Sequence, residues 1–403
     1  MLRSAELADI VRQAAADSGF DLVGIAPVED APELEYFPRW IADGHAGEMK
    51  YLEARDEQGR LKRASLGHAA PWARSVVVCA INYNTAHPYS TEVSDSPEKD
   101  RGWISRYAWG KQDYHESVMP RLRQVEAALR KSCGTTDRRT REQEKEEELV
   151  TRCYVDTGPI VERVAAKYAG IGWIGKNTCI INQKIGSWLF LGVILTSLDF
   201  RTDDFGIDEL GSHAPMGNSP GFGVPAPDRC GSCTRCIDAC PTDALIAPYQ
   251  LDSNKCIAYL TIEKRGPIPE ELREGMGRHI FGCDICQDVC PWNRKAPATD
   301  AAEFQPRPEL VNPALEWLAE ISVEEFRKSF RESPVRRAKR SGLRRNAVIA
   351  MGNSGERKFL PALEKLSADD DEVVRESADW AVRKLTAIQT KKTQIDLAKS
   401  APH

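Results

Sequence analysis

Two cysteine runs in the second half of the chain constrain its fold more than any other feature. The first run is Cys230-Gly-Ser-Cys233-Thr-Arg-Cys236-Ile-Asp-Ala-Cys240-Pro241, with the spacing C-x2-C-x2-C-x3-C-P. The second run begins with Cys256 and, after a long insert, continues as Cys283-Asp-Ile-Cys286-Gln-Asp-Val-Cys290-Pro291. This spacing is that of bacterial ferredoxins, in which three closely spaced thiolates hold one 4Fe–4S cluster and the fourth ligates the other cluster. The runs therefore predict a two-cluster, electron-carrying domain.

The ferredoxin pairing rule also predicts which cysteines share a cluster. One predicted set is Cys230, Cys233, Cys236 and Cys290, and the other is Cys240, Cys256, Cys283 and Cys286. Two structural zinc sites with four cysteine ligands each are the alternative, although zinc ribbons usually carry two C-x2-C pairs. The remaining cysteines are isolated in sequence and are predicted to be small buried apolar residues: Cys79, Cys133, Cys153 and Cys179.

Length and composition limit the remaining classes. The chain has 403 residues, enough for about 2–3 domains, and its hydrophobic content of 41% excludes wholesale disorder. The most apolar stretch, residues 187–195, is too short to span a bilayer, and the N-terminus has no signal-peptide pattern. These features predict a cytoplasmic protein without a membrane partner, in a compartment where clustered cysteines bind metal rather than form disulfides.

Hydrophobic periodicity divides the chain into four predicted regions. Residues 1–225 alternate between helical patterns (4–19, 119–131 and 159–169) and strand patterns (21–26, 75–81 and 188–196), which predicts an α/β domain. Residues 226–298 contain eight of the twelve cysteines and form the predicted ferredoxin-like domain. Two unusual segments, the charged residues 135–148 and the Gly/Pro-rich residues 211–227, are interpreted as surface insertions.

Residues 299–390 form a predicted helical region, followed by a flexible tail over residues 391–403. Three short apolar helix faces, the first of them ending at Gly352, resemble a HEAT-type helical pair plus one helix. Because a single repeat cannot bury its own apolar face, it is expected to pack on the rest of the chain.

Residues 327–345 form a strongly basic segment, with nine Lys or Arg residues and one acidic residue. In a chain of net charge −5, such a one-sided segment favours contact with a nucleic-acid backbone over a merely solvated surface.

Two further motifs are ambiguous. Residues 170–175 match G-x-G-x-x-G but lack the preceding strand and following helix of a dinucleotide site, so that function is not predicted. Asp156 begins a turn before a helix, and from the residues alone it is either a helix cap or a functional carboxyl group.

With these motifs in view, the chain resembles the epoxyqueuosine reductases from its N-terminal helix to about Leu385. The resemblance rests on both cysteine runs and on residues 105–115 (SRYAWGKQDYH), 156–163 (DTGPIVER), 170–177 (GIGWIGKN), 186–192 (GSWLFLG), 290–294 (CPWNR), 333–340 (SPVRRAKR) and 343–355 (LRRNAVIAMGNSG). It implies an α/β cobalamin-binding domain, a bacterial-ferredoxin-like module with two 4Fe–4S clusters and a C-terminal α-helical HEAT-like repeat.

The resemblance also implies a reaction and its residues. These enzymes reduce the epoxide of epoxyqueuosine at the tRNA wobble position to queuosine, the last step of queuosine biosynthesis, and Asp156 matches their proton donor. The expected cobalamin contacts are Arg63, Ser105, Asp156, Asn177, Ile180 and Leu191. The expected tRNA contacts are Arg336, Arg337, Lys339, Arg340, Arg344 and Arg345. A monomer served by an unidentified electron donor is also expected.

Two other functions compete with this interpretation. A reductive dehalogenase also combines cobalamin with two clusters, but those enzymes carry a twin-arginine signal and a tyrosine acid. A non-enzymatic electron carrier or tRNA-binding adaptor is the second alternative, although a bare ferredoxin would not need some two hundred residues ahead of its clusters.

Overall fold

The computed structural model describes residues 4–94, 97–134, 149–200 and 224–399. The predicted insertion at residues 135–148 lies outside the described residues, as do residues 211–223 of the second insertion.

The N-terminal part is built on one four-stranded sheet with the strand order β1-β2-β7-β4, in which every neighbouring pair is antiparallel. The short strands form three two-stranded pairs, β3 with β10, β5 with β6 and β8 with β9. The strands are β1 (Leu22–Pro27), β2 (Ser75–Asn82), β3 (Trp103–Ile104), β4 (Thr151–Tyr154), β5 (Trp173–Ile174), β6 (Ile180–Ile181), β7 (Leu189–Thr196), β8 (Leu245–Ala247), β9 (Gln250–Leu251) and β10 (His279–Phe281).

The helices surround this sheet and continue through the C-terminal part. They are α1 (Ser4–Asp17), α2 (Pro32–Ala42), α3 (Leu66–Ala69), α4 (Ser90–Ser94), α5 (Tyr114–Ser132), α6 (Glu162–Tyr168), α7 (Arg235–Asp238), α8 (Ile257–Ile262), α9 (Glu270–Arg273), α10 (Ile285–Asp288), α11 (Leu315–Glu320), α12 (Val323–Ser329), α13 (Lys339–Ser354), α14 (Leu360–Leu366) and α15 (Glu372–Lys399). None of the helices in the described ranges is long and apolar enough to cross a membrane.

Helices cover both faces of the central sheet, because alternate residues of β2 and β7 point to opposite sides. On one face, α1 and α5 pack over Val77, Cys79 and Ile194. On the other face, α6 packs over Val78 and Val193. The strand and helix predictions for residues 1–200 are confirmed in position, and α5 begins five residues earlier than its predicted start, where the Asp113 side chain caps it by accepting from the His115 N–H.

The ferredoxin-like part is joined to the N-terminal part by the parallel pairing of β10 with β3. One apolar core continues from Trp103 through Phe281 to Leu343 and Ala381 of the C-terminal helices. The helical region therefore packs on the rest of the chain, as its single apolar face requires. The predicted domain boundaries at residues 225 and 298 separate stretches of sequence, but this apolar core runs across both of them.

Two predictions for the C-terminal helices need correction. Helix α13 does not end at Gly352: it continues to Ser354, and Gly355 ends it with a φ of +71°. Gly352 instead permits close helix packing, because a Cβ atom there would lie 2.9 Å from both Trp380 and Ala381 side-chain atoms. Helix α15 continues to Lys399, well beyond residue 391, where the flexible tail was predicted to begin.

Candidate functional site

Asp156 lies on the turn between β4 and α6, with an exposed side chain. Its φ of +61° is unusual for a residue with a Cβ atom. The Tyr114 hydroxyl donates a hydrogen bond to Asp156 Oδ2 at 2.7 Å, and the Asp156 backbone N–H donates to Glu162 Oε1 at 2.7 Å. Two elements, α5 and α6, therefore fix this residue from different sides. Asp156 does not act as a helix cap through its side chain, since that side chain accepts from Tyr114.

Tyr114 is held between an aromatic ring and a cation. Its ring stacks on Phe190, with centroids 4.5 Å apart and planes 7° from parallel, and the Arg337 guanidinium lies 5.1 Å from the ring centroid. Burial raises the pKa of Tyr114, and the negative charge of Asp156 raises it further. The hydroxyl therefore keeps its proton and remains a donor to Asp156.

Arg337, which the sequence assigns to a tRNA contact, lies at this site. Its Nη2 is 3.1 Å from Asp113 Oδ2 and 3.0 Å from His115 Nδ1. The basic segment and the Asp156 turn are thus connected through Arg337 and Tyr114. Neither Tyr114 nor Glu162 was singled out from sequence, although both stand within motifs that carry the family resemblance.

Arg63 fixes the far end of the Asp156 turn. Its Nη2 donates to the Gly158 carbonyl at 2.7 Å, and its Nη1 donates to the Tyr51 carbonyl at 3.0 Å. Beside it lies a cavity of about 110 Å³ whose wall also includes Pro159 and Ile160. Two more expected cofactor contacts belong to the same side of the sheet: Ile180 is buried, and Leu191 is half-buried on the face of β7 that α6 also covers.

Ser105 and Asn177 have different surroundings from the exposed Asp156. Both are buried, and both bind the second cysteine run. The Ser105 hydroxyl donates to Asp284, whose other oxygen accepts from the Arg106 backbone N–H at 2.8 Å. Asn177 Nδ2 donates to the Cys286 carbonyl at 3.2 Å. These two side chains therefore contact the cysteine loop, and their expected contact with cobalamin stays a prediction.

The predicted cluster cysteines have electrostatic neighbours that follow the predicted pairing. Burial raises the pKa of Cys290 to about 11, and the nearby thiols of Cys230 and Cys236 raise it further. Burial also raises the pKa of Cys283, with contributions from Cys256 and Cys240. Because iron binds thiolates, loading each set with a cluster releases protons. The division into two sets stays a prediction, supported by these neighbours.

An orphaned indole N–H tests whether the first set fits an iron–sulfur cluster. Trp173 is 2% exposed and packs with Cys290, Cys230 and Trp292. Its Nε1 is buried without a hydrogen-bond acceptor among the described residues. A buried donor without an acceptor is costly, so this site fits a group that brings acceptor sulfurs to the cysteines.

Of the four isolated cysteines predicted to be buried, one is buried and three are half-buried. Cys79 is fully buried, as predicted, and Cys133 and Cys153 are half-buried. Cys179, however, lies beside Cys286, whose thiol lowers the pKa of Cys179 to about 7, so Cys179 belongs to the surroundings of the second set. The two cysteines are more than a hundred residues apart in sequence, so this proximity could not be predicted from the sequence.

The basic segment separates into exposed and buried cations. The exposed ones are Arg327, Lys328, Arg331, Arg336 and Lys339. Arg340 is half-buried, and its Nε donates to the Ile321 carbonyl at 2.7 Å.

Two of the expected tRNA contacts are corrected here: Arg344 and Arg345 are 4% and 1% exposed. Arg344 binds Asp369, with Nη2 to Oδ2 at 2.6 Å. Arg345 donates to the Leu260, Lys264 and Gly266 carbonyls of the ferredoxin-like part at 2.6–3.0 Å. Both guanidinium groups are already occupied, so these residues hold the helical region in place and offer nothing to a phosphate.

Comparison with family models agrees with this arrangement. Residues 229–293 match the model of the 4Fe-4S double cluster binding domain, and residues 63–157 match that of "Epoxyqueuosine reductase QueG, DUF1730". The first match covers both cysteine sets, so the domain is of the double-cluster class and the zinc alternative is not supported. The second ends at the Asp156 turn. Fold and site thus define an iron–sulfur oxidoreductase class.

Whole-chain relatives give the family. An epoxyqueuosine reductase of Pseudomonas aeruginosa is 36% identical over 94% of this chain and 95% of its own length. One from Synechocystis is 39% identical over 81% of this chain and 98% of its own length. This chain belongs to the epoxyqueuosine reductase family.

Solved structures of the family share the whole fold. The crystal structure of a selenomethionine-labelled epoxyqueuosine reductase has a TM-score of 0.77 and 29% identity, covering 100% of this chain and 96% of that one. An epoxyqueuosine reductase with an epoxyqueuosine-modified tRNA-Tyr stem loop has a TM-score of 0.75 and 28% identity, and the match covers 100% of this chain and 96% of that one. The structure of an epoxyqueuosine reductase from Bacillus subtilis, with its catalytic aspartate loop swung out of the active site, has a TM-score of 0.75 and 29% identity. The match covers 95% of this chain and 91% of that one.

Proposed function

We propose that this protein reduces the epoxide of epoxyqueuosine at the wobble position of tRNA to queuosine, with electrons that pass through two 4Fe–4S clusters to cobalamin. The observation that carries the proposal is the exposed carboxyl group of Asp156, fixed by Tyr114 at 2.7 Å in a chain with a double-cluster domain. An exposed and oriented carboxyl group is suited to a substrate that arrives from solution.

The reaction defines what the residues must do. Converting the epoxide to an alkene consumes two electrons and two protons, and the oxygen leaves as water. An alkoxide is a poor leaving group unless a positioned acid protonates it. We assign this role to Asp156. Tyr114 orients the Asp156 carboxyl group, and its raised pKa keeps it a hydrogen-bond donor throughout the neutral range.

Cobalamin is supported by the family membership. When bound, cobalamin supplies a strongly reducing, nucleophilic metal centre. The residues that would hold it are Arg63, Asp156, Ile180 and Leu191, of which Ile180 and Leu191 lie on the sheet face that α6 covers. The cavity beside Arg63, about 110 Å³, is below the roughly 300–1,000 Å³ of pockets that enclose a whole ligand. This cavity would therefore hold at most part of such a ligand.

The tRNA would be held by the exposed cations of the basic segment. An anticodon loop is single-stranded, so its modified base can be turned into a pocket at low cost. Arg336 and Lys339 are exposed and lie on either side of Arg337, which contacts Tyr114. We infer that a phosphate backbone bound at these cations brings the base to Asp156. We also propose that the C-terminal helices form a HEAT-like unit that supports this surface.

The turn that carries Asp156 is expected to move. The Bacillus subtilis relative has been solved with its catalytic aspartate loop swung out, and the corresponding turn here is exposed. We also propose that the protein acts in the cytoplasm as a monomer and receives electrons from a separate donor protein.

The test is anaerobic turnover of tRNA carrying epoxyqueuosine, with reconstituted clusters, a chemical reductant, and cobalamin present or omitted. Nucleosides are resolved by mass spectrometry. Cobalamin-dependent loss of one oxygen by the wild type, abolished in Asp156→Asn, is the expected result. No conversion by protein with full iron and cobalt content would reject the function and make dehalogenation the next reaction to assay. Failure to bind cobalamin at all would favour an electron carrier.

A further inference from the structure

The Asp156 turn has an anchor point that does not involve the reacting carboxyl group. The backbone N–H of Asp156 donates to Glu162 Oε1 at 2.7 Å, while the Thr157 N–H donates to the Val155 carbonyl at 2.7 Å. Asp156 itself has a φ of +61°. A residue with a Cβ atom holds this conformation only when its surroundings impose it. Glu162 is the side chain that binds the backbone at this point.

We propose that Glu162 is a positioning residue for the proton donor: its carboxyl group accepts the Asp156 N–H and so keeps the turn closed over the site. This inference rests on the proposed function only for its catalytic consequence, because the closing of the turn is a property of the free protein. Tyr114 fixes where the Asp156 carboxyl group points, and Glu162 fixes where its backbone lies.

The charge of Glu162 is as important as its position. Burial raises the pKa of Glu162 to about 8, and the negative charge of Asp156 raises it further. The hydrogen bond from the Asp156 N–H acts to lower the pKa, as do two cations that face Glu162, Arg163 from the same helix and Arg63 from the turn after residue 61. Near neutral pH, Glu162 is therefore mostly protonated and accepts the N–H without placing a second negative charge beside Asp156.

The pH dependence of closing follows from proton linkage. In the closed turn the pKa of Glu162 is raised from its ordinary value of 4.5 to about 8, so between these values the closed turn binds more protons than the open one. Closing of the turn is therefore expected to weaken as the pH rises toward about 8 and to change little above it, where Glu162 is ionised in both states.

Hydrogen exchange measured on the free protein tests the anchor without any catalysis. Glu162→Leu removes the acceptor, and Glu162→Gln keeps an acceptor of the same size without the acidic group. The matched control is Glu33→Leu, because Glu33 also accepts hydrogen bonds from α6, from Lys167 and Tyr168, but does not contact Asp156. The peptide covering residues 150–161 should exchange about tenfold faster in Glu162→Leu and at the wild-type rate in the other two variants.

A pH series keeps the test decisive if the leucine variant folds poorly. After correction for the intrinsic exchange rate, the wild-type peptide should lose protection as the pH rises toward about 8, whereas that of Glu162→Gln should not. Wild-type protection in Glu162→Leu, or the same pH-dependent loss of protection in Glu162→Gln, would reject the proposal.

Kinetics then separate positioning from folding. Glu162→Leu is expected to lower kcat about tenfold with little change in the KM for tRNA, and Glu162→Gln is expected to lose less than about threefold at pH 7. A glutamine variant as slow as the leucine variant would contradict the role. If the wild type itself converts no epoxyqueuosine, the proposed function fails, and the exchange data still decide whether Glu162 closes the turn.

Discussion

The Tyr114 hydroxyl donates to Asp156 Oδ2 at 2.7 Å from a ring fixed on both sides, by Phe190 and by the Arg337 guanidinium. The tyrosine belongs to the first turn of α5, which packs on the central sheet. The orientation of the Asp156 carboxyl group is therefore set by the rigid part of the fold, although Asp156 itself stands on an exposed turn.

We expect Tyr114→Phe to lower kcat for epoxyqueuosine reduction about tenfold, because one hydrogen bond to the proton donor is lost while the stacked ring remains. The KM for tRNA should change little, since the ring still supports Arg337. Single-turnover rates at saturating tRNA provide the measurement.

Tyr89→Phe is the matched control for Tyr114→Phe. The Tyr89 hydroxyl donates to the Asn293 carbonyl at 3.0 Å, so this variant also loses one tyrosine hydrogen bond, but at a site without contact to Asp156. Equal losses of kcat in both variants would mean that Tyr114 acts only through the stability of the fold.

Exposed and buried arginines of the basic segment should behave in opposite ways. Arg336→Gln is expected to weaken tRNA binding and to reduce the slope of log Kd against log salt concentration by about 0.7–0.9, as the loss of one phosphate contact requires. Its apparent Tm should match that of the wild type, because Arg336 is exposed. Fluorescence anisotropy with an anticodon stem loop at several salt concentrations measures both quantities.

Arg345→Met should instead act on stability. Removing the guanidinium leaves the Leu260, Lys264 and Gly266 carbonyls without their donor, which costs about 3 kcal/mol of unfolding free energy. We expect a lower apparent Tm and an unchanged salt slope for the fraction that is folded. A reduced salt slope with a wild-type Tm would show that Arg345 contacts phosphate after all.

Patterns with strong local constraints were predictable from sequence. The strand of residues 75–82 contains a continuous apolar run from Val76 to Ile81, and the cysteine spacing itself indicates a cluster fold, so both were predicted at the right positions. Gly352 misled the helix prediction because a glycine at a helix end and a glycine at a helix crossing look alike along the chain. Only the approach of Trp380 and Ala381 distinguishes the two.

Side-chain roles that depend on contacts distant in sequence were not predictable in the same way. The charge pattern identifies residues 327–345 as basic but cannot distinguish the exposed Arg336 from the buried Arg345. Glu162 looks like an ordinary first-turn acid of α6, and its pKa depends on burial and on Asp156. Cys179 meets Cys286 across more than a hundred residues of sequence.

The predicted cluster pairing can be tested with two cysteine variants. Cys290→Ser should remove the cluster of Cys230, Cys233 and Cys236, and Cys240→Ser should remove the cluster of Cys256, Cys283 and Cys286. Each variant should retain about half of the wild-type iron and sulfide, and the remaining cluster should give a different EPR spectrum in the two cases. Identical residual spectra would mean that the pairing is wrong.

Trp173 offers a test of the cluster environment that does not depend on turnover. Its indole N–H is buried beside Cys290 and Cys230 without an acceptor among the described residues. Hydrogen bonds to cluster sulfurs stabilise the more negative, reduced state and raise the reduction potential. Trp173→Phe should therefore lower the potential of one cluster by about 59 mV, a tenfold change in its reduction equilibrium, and leave the other unchanged. Redox titration followed by EPR measures both potentials.

Trp292→Phe is the matched control for Trp173→Phe, because it changes the neighbouring ring of the same apolar cluster. Equal shifts in both variants would show that packing, rather than the N–H, sets the potential.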